Sequence, residues 1–493
     1  MGLVFSNALV LTDASAVPVK RDVFIDGGVI SALREPGGEL WSGSQRIEGN
    51  RTLIIPGLIN AHYHSHDVLA RGLFEDIPLE VWIALAILPP WRKVTKEEVR
   101  LRTLIGAAEN LRNGTTTVQD MLGCGPGSED IVEAALAAYA EIGIRCVMSL
   151  QVGNRPAIDC LPGIRESMPL EIQPLISGNP PDVEQFLSFV ATPLQNAAKS
   201  RLHWAIAPGS PQRCTIELMA GLGDLARARR LPYVTHVNES KLQVFLAREL
   251  YGAYGGSVLD YLEAAGVLNS RLCMAHGIWF SDAEIDRIGS VGAAVATCPA
   301  SNLKLKNGVA PHGALLRAGA QLTLGCDNVS AGDGQNMFEA MRSLAHLNSG
   351  RGPQNSPLDA RAVLAIATQG AANVLGIGDL VGSIAVGKRA DLTIIDLDDF
   401  AYLPLNNAQR QLVYAENGRG VRDVLVDGEF VVRDRKLVKV DQAKLIEGAG
   451  ALLEIVQRDY ADHFARMAPA IPYIAGTARR ESDRSLPFSR WIA

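Results

Sequence analysis

The chain has 493 residues and is 47% hydrophobic, enough for more than one domain or for one large barrel with additions. A net charge of −6 without any Lys/Arg-rich stripe argues against a nucleic-acid binder. Seven scattered cysteines, with no C-x-x-C pair, fit a reducing compartment better than a disulfide framework.

The chain does not open on a basic stretch followed by an apolar run, so no signal peptide and a cytoplasmic location are expected. Residues 1–55 read as short strands joined by turns. Candidates are Ala8–Leu11, Val23–Ile25, Val29–Leu33 and Arg51–Ile55, with Asp26-Gly27-Gly28 as a hairpin signal. The most apolar stretch, Val81 to Trp91, contains two prolines and is too short to span a bilayer, so no membrane partner is expected.

From residue 56 to 377 strand candidates alternate with helical stretches. The strands are Leu58–His62, Thr115–Asp120, Arg145–Leu150, Leu202–Ala207, Tyr233–His236, Arg271–His276, Ala293–Thr297 and Gln321–Asp327. Helices are expected at Lys96–Asn113, Ser128–Gly143, Thr215–Arg229, Ser257–Ala265, Asp282–Gly289 and Gln335–Asn348. Eight strands with crossovers predict an α/β fold, a (β/α)8 TIM-like barrel. Residues 378–440 return to short strands: the run Val381 to Asp396 reads as a turn and then a strand, and Val421–Val426 and Phe430–Val432 flank a second hairpin signal at Asp427-Gly428. The expected division is a small β-sandwich from both chain ends (1–55 and 378–440), a barrel (56–377), and a C-terminal helix from Ala443 followed by an extended basic arm (441–493).

Chemistry-bearing residues lie at the ends of these strands. His62 and His64, two apart on a strand, point to one face and can offer two nitrogens to one ion. Histidine is scarce, nine in the chain, which weakens a chance reading of the pair. His66 continues the alternation but lies past the strand end, and reads as a loop residue near the pocket. His236 supplies a third nitrogen. Glu239, three residues on, reaches over an ion without binding it and can shuttle protons. His276 ends the next strand; alone it would read as a core histidine, and it could be a ligand, but the preferred role is to polarise substrate or hold the attacking water. Asp327 ends the last strand and can bind the ion and accept a proton. His203, His312, His346 and His463 read as structural. Strand four carries no lysine to bridge a second ion. The expectation is therefore one divalent metal per chain, held by His62, His64, His236 and Asp327; the donor set suits Zn²⁺, and Fe²⁺ also accepts it.

These residues resemble the amidohydrolase superfamily. The resemblance runs from Pro56-Gly57-Leu58-Ile59-Asn60-Ala61-His62-Tyr63-His64 to Gly387-Lys388 and Ala390-Asp391-Leu392. Within it, the block Thr297-Cys298-Pro299-Ala300-Ser301-Asn302-Leu303-Lys304-Leu305 is similar to the branch of S-adenosylhomocysteine/methylthioadenosine deaminases, guanine and cytosine deaminases and s-triazine hydrolases. Arg71-Gly72-Leu73 and Asp76-Ile77-Pro78-Leu79 with Trp82 match the adenosine-type members. Asn328, directly after Asp327, is more reminiscent of the triazine hydrolases. The resemblance implies the ligand set above, with catalytic roles for Glu239, His276 and Asp327, and it implies a homodimer.

The expected activity is hydrolytic deamination of an N-heteroaromatic amine of the aminopyrimidine, purine or s-triazine type, by attack of metal hydroxide on a ring carbon. The alternatives are dechlorination or dealkylamination of a triazine-like ring, hydrolysis of an amide or cyclic amide, and a non-enzymatic scaffold, which would be expected to have lost its ligands. The expected partner is a small-molecule substrate. His276, Asn328, Trp82 and His66 are the expected substrate contacts.

Overall fold

The computed structural model describes residues 2–38, 44–88, 92, 94–195, 201–350 and 358–491. The end of the apolar stretch, residues 89–91, lies outside them. Five strands open the chain: β1 (Leu3–Val10), β2 (Val19–Asp26), β3 (Val29–Arg34), β4 (Gln45–Glu48) and β5 (Thr52–Pro56). Gly27 and Gly28 both take positive φ in the β2–β3 turn, as the hairpin signal requires.

Ten strands follow: β6 (Leu58–His64), β7 (Thr115–Gly123), β8 (Arg145–Val152), β9 (Leu202–Trp204), β10 (Ala207–Pro208), β11 (Tyr233–Val237), β12 (Leu272–His276), β13 (Ala294–Thr297), β14 (Gln321–Leu324) and β15 (Asp327–Asn328). They form two parallel sheets, in the orders β10-β8-β7-β6-β15, with β9 on β8, and β11-β12-β13-β14. Every residue of β6 is buried, as expected of a parallel strand covered on both faces. A single parallel bridge, Ile206 to Tyr233, joins the sheets on one side. On the other side residues 321–328 serve both, since β14 pairs with β13 and β15 pairs with β6.

Two expected strands are each broken in two. The fourth splits into β9 and β10, and the last into β14 and β15. The second break has a steric cause at Gly325. A Cβ there would lie 2.6 Å from the His62 Cβ, so only glycine lets this segment press onto β6.

The last four strands are β16 (Leu392–Asp396), β17 (Val421–Val426), β18 (Glu429–Arg433) and β19 (Lys436–Leu437). They join the first five in one nine-stranded sheet, ordered β19-β18-β17-β16-β5-β1-β2-β3 with β4 on β1. The two chain ends meet where β5 runs antiparallel to β16. Leu3, Phe5, Val23, Ile54, Leu392, Ile394 and Leu425 share its apolar core.

The helices fall close to the expected places. Lys96–Arg112 begins after Thr95, whose hydroxyl caps the Glu98 N–H, and Asp282–Ser290 begins with a full capping box from Ser281 and Glu284. The extended C-terminal arm is corrected in part: Ile471–Asp483 is a helix after Gln442–Met467. Its buried residues, Ile474, Thr477, Ala478 and Glu481, recur at helical spacing, and Pro472 sits in its first turn, where proline is tolerated. Beyond it, Arg490 donates to the Phe280 carbonyl at 2.6 Å and accepts from Val309 N–H at 2.7 Å. Among the described residues no helix is long and apolar enough to cross a membrane.

A buried ion cluster fastens the β8 sheet to the nine-stranded one. Arg145, at the start of β8, donates to Asp391 at 2.8 and 2.9 Å and to Asp427 at 2.5 Å. Removing the cation would leave the buried Asp391 carboxylate without its ion pair, while Asp427 would keep Arg201 at 3.3 Å. Arg145→Ala is therefore expected to lower unfolding stability by about 3–5 kcal/mol in chemical denaturation. A loss below about 1 kcal/mol would mean that the pair adds no more than a surface ion pair.

Candidate metal centre

The parallel strands bring their C-terminal ends to one place, and the expected ligands converge there. His62 and His64 come from β6, His236 from β11, His276 from β12 and Asp327 from β15. The Nε2 atoms of His62 and His64 are 3.3 Å apart. Asp327 Oδ1 lies 3.4 Å from His62 Nε2 and 3.5 Å from His64 Nε2. The His236 ring lies 4.9 Å from that of His62 and stacks on that of His64 at 5.4 Å. Donor atoms of His62, His64 and His236, and of His62, His276 and Asp327, lie within 4.8 Å of one another.

Hydrogen bonds behind the rings decide which nitrogen faces inward. His64 Nδ1 lies 2.7 Å from the Met121 carbonyl, and His236 Nδ1 lies 2.5 Å from the Gly209 carbonyl. A carbonyl only accepts, so each Nδ1 carries the proton and each Nε2 keeps its lone pair for the cluster. Burial holds His62 and His64 below the usual imidazole range and takes His236 down to about 3. The rings are thus neutral, the form that binds a metal. Burial pushes Asp327 up, but the contacts of His62, His276 and His64 outweigh it and hold the carboxylate well below its usual range. Three neutral imidazoles and one carboxylate fit a divalent ion.

Two further groups face this cluster. Glu239 Oε1 accepts from Asn307 at 3.0 Å, and its backbone N–H donates to Gln243 at 2.9 Å. Oε2 is left 3.6 Å from His276 Nε2. Burial is the main reason that the Glu239 carboxyl rises to about 7. His276 Nδ1 meets Asn302 Oδ1 at 2.8 Å, while its buried Nε2 has no hydrogen-bond partner among the described residues and lies 3.9 Å from Asp327 Oδ2. His276 and Asp327 have φ of +69° and +66°, strained for residues with a Cβ, which turns both side chains at their strand ends.

The expected substrate contacts stand differently. His66 lies in the turn Ser65–Ala70, its ring 5.2 Å from that of His64, and its Nδ1 accepts from Gly123 N–H at 3.2 Å. Asn328 is buried, directly before the Val329 and Ser330 N–H groups that donate to Asp67. Trp82 donates to Ser330 Oγ at 3.1 Å and packs with Phe74, Leu305 and Tyr460. Of the histidines set aside, His312 meets Thr297 Oγ1 and His463 meets the Ala84 carbonyl.

Sequence reasoning passed over Asn302, Asn307 and Asp67. Asn302 lies within the Thr297–Leu305 block and had a signal. Asp67 accepts from Val329 N–H, Ser330 N–H and Ser330 Oγ, at 3.2, 3.0 and 2.5 Å, and so pins the segment after Asp327.

Residues 53–431 match the model of the amidohydrolase family. The 5-methylthioadenosine/S-adenosylhomocysteine deaminase of Pyrococcus furiosus is 30% identical over 455 residues, 90% of this chain and 98% of that protein. The structure of an adenosine deaminase from Xanthomonas campestris with bound zinc gives a TM-score of 0.78 at 27% identity, covering 92% of this chain and 98% of that one. The zinc complex of an atrazine chlorohydrolase from Arthrobacter aurescens shares the fold, with a TM-score of 0.79 at 22% identity over 92% of this chain and all of that one. With its strand-end histidines and aspartate inside the matched span, the chain belongs to the amidohydrolase family.

Proposed function

We propose that the protein is a metal-dependent hydrolytic deaminase of an N-heteroaromatic amine, with its parallel strands acting as one (β/α)8 barrel. The observation that carries this reading is the meeting of Glu239 Oε2, His276 Nε2 and Asp327 Oδ2 within 4 Å steps beside the imidazole cluster. His62, His64, His236 and Asp327 would hold one ion. When bound, a divalent ion supplies Lewis acidity and lowers the pKa of water to about 7 from 15.7.

The remaining roles fall to the chain's own groups. Asn307 holds one oxygen of Glu239 and leaves the other free to take a proton from water. Glu239 then delivers that proton to a ring nitrogen; a second proton, taken up by Glu239 from the hydroxyl added to the ring carbon, goes to the amine, which leaves as ammonia while the ring carbon becomes a carbonyl. Asn302 fixes the His276 ring, so that its unpartnered Nε2 is placed to orient water or the developing charge on substrate. Asp327, held well below its usual range by the neighbouring histidines, enters the reaction as a carboxylate, able to hold the ion and to accept a proton.

The named activities of the relatives support an amine leaving group. The Pyrococcus furiosus relative is named for two adenosine-type substrates. Asn328 after Asp327 supports the second reading, a triazine-like ring that loses chloride or an alkylamine. Zinc is favoured over iron by the ion in the Xanthomonas campestris structure.

Three outcomes are expected. Metal analysis of protein purified without added ion should give about one equivalent per chain, and two tight equivalents would reject the mononuclear centre. Glu239→Gln is nearly isosteric, so it should retain the metal while losing about 10²- to 10⁴-fold in kcat; loss of metal as well would make Glu239 a ligand. Finally, the zinc-loaded enzyme, given a panel of aminopurines, aminopyrimidines and amino-s-triazines beside N-acyl amino acids and hydantoins, should release ammonia from the first group. Turnover confined to the amides would reject deamination, and release of chloride or alkylamine alone would select the second reading.

A further inference from the structure

The loop that carries Asn307 is gripped by the end of the chain. Asn307 holds one oxygen of Glu239 at 3.0 Å and is itself held through its backbone. Its N–H donates to the Asn302 carbonyl at 2.8 Å, and its carbonyl accepts from Trp279 Nε1 at 2.7 Å. The first bond ties it to the helix Pro299–Lys304. The second depends on where the Trp279 indole stands, since an indole has a single N–H to aim.

Residues 484–491 leave the helix Ile471–Asp483 and run across this corner. Just before them, the Ser482 carbonyl accepts from Lys241, two residues after Glu239, at 2.6 Å. Leu486 and Phe488 then pack on Ile278, Trp279 and Ala310. The Trp491 ring meets that of Trp279 edge-on at 5.1 Å. Arg490 grips both strands of chain that flank Asn307. Its guanidinium donates to the carbonyl of Phe280, the residue after Trp279, at 2.6 Å. Its own carbonyl accepts from the N–H of Val309, two residues past Asn307, at 2.7 Å.

The approach is close enough to demand a particular residue. Gly308 has a φ of +109°, and a Cβ there would stand 2.8 Å from the Arg490 carbonyl oxygen. Any other residue at 308 would be strained and would push the chain end away. Trp279 is 1% exposed and Arg490 8%, so the end of the chain is built into this corner rather than laid over it.

We infer that Arg490 is a positioning residue for Glu239, acting through Trp279, Val309 and Asn307. It sets the loop that binds one oxygen of Glu239, and thereby the aim of the oxygen left to move a proton. A misplacement of about 1 Å at such a group costs far more in rate than the distant contact that prevents it. The proton-transfer part of this inference rests on the deaminase reading; the clamp on Asn307 does not.

The test compares Arg490→Ala in two backgrounds of the zinc-loaded full-length protein, on whichever aminopurine, aminopyrimidine or amino-s-triazine is turned over fastest. In the wild-type background kcat should fall about 10-fold or more, with KM within about 2-fold and about one equivalent of zinc retained. In the Glu239→Gln background the same substitution should change kcat less than about 2-fold, because the group it positions is gone. Equal losses in the two backgrounds, or an unchanged kcat in Arg490→Ala alone, overturn the assignment. Should Arg490→Ala not fold, Phe488→Ala, which uncovers Trp279, takes its place under the same criteria. A second arm reads the clamp without turnover. Backbone hydrogen exchange over residues 305–311 should quicken about 10-fold or more in Arg490→Ala, while that of β6 and β11 stays unchanged. Unchanged exchange over 305–311 overturns the clamp. Faster exchange there, in a protein that releases ammonia from no ring of the panel, supports the clamp and rejects the deaminase reading.

Discussion

The site depends on one constraint: an imidazole offers a ligand only the nitrogen that is not protonated. At His64 and His236 that choice is made by backbone carbonyls, Met121 on β7 and Gly209 just beyond β10. Both carbonyls belong to strands next to the ones that carry the histidines. The parallel pairing therefore supplies ligands and their tautomers together. Burial completes the arrangement by keeping the rings neutral, so that several of them stand within 5.5 Å of each other without charge repulsion.

Holding such a cluster has a cost in backbone geometry, which the surroundings offset. His276 and Asp327 both sit in the left-handed region, at about 1–3 kcal/mol each. Asp327 is kept there by a buried amide chain. Asn60 on β6 accepts from Cys326 N–H at 3.0 Å and donates to Gln335 at 2.8 Å, and Gln335 donates to the Asp327 carbonyl at 2.9 Å. Asp67 ties down the next residues from the opposite side.

What was legible in the sequence was what obeys a period. His62 and His64 announce themselves because side chains alternate along a strand that is otherwise apolar. His236, His276 and Asp327 follow from the same rule, each closing an apolar run. The pieces held by contacts between distant segments left no such trace. Asn307 and Gln335 lie in non-helical loops, and their task appears only when Glu239 and Asp327 are brought to them. The break between β14 and β15 comes from the His62 backbone, 263 residues before Gly325 in the chain, pressing where a Cβ would stand. The helix Ile471–Asp483 carried a readable spacing of buried residues, but Gly476 and Thr477 weaken its propensity, and its partners lie across the molecule.

The fold separates the groups proposed for the chemistry from the elements packed over them. Every group that would bind the ion or move a proton stands on a strand end or within three residues of one, where neighbouring strands fix it. The residues proposed to meet the rest of a substrate include two on other elements, His66 on the turn after β6 and Trp82 on the helix Leu79–Ala86. Trp82 is backed by Tyr460 from the C-terminal helix Gln442–Met467, and Val81 on the same helix packs against Ile474 of Ile471–Asp483. On the proposed reading, changes in these outer elements would alter which ring fits while the strand-end ligands stay held by their neighbouring strands.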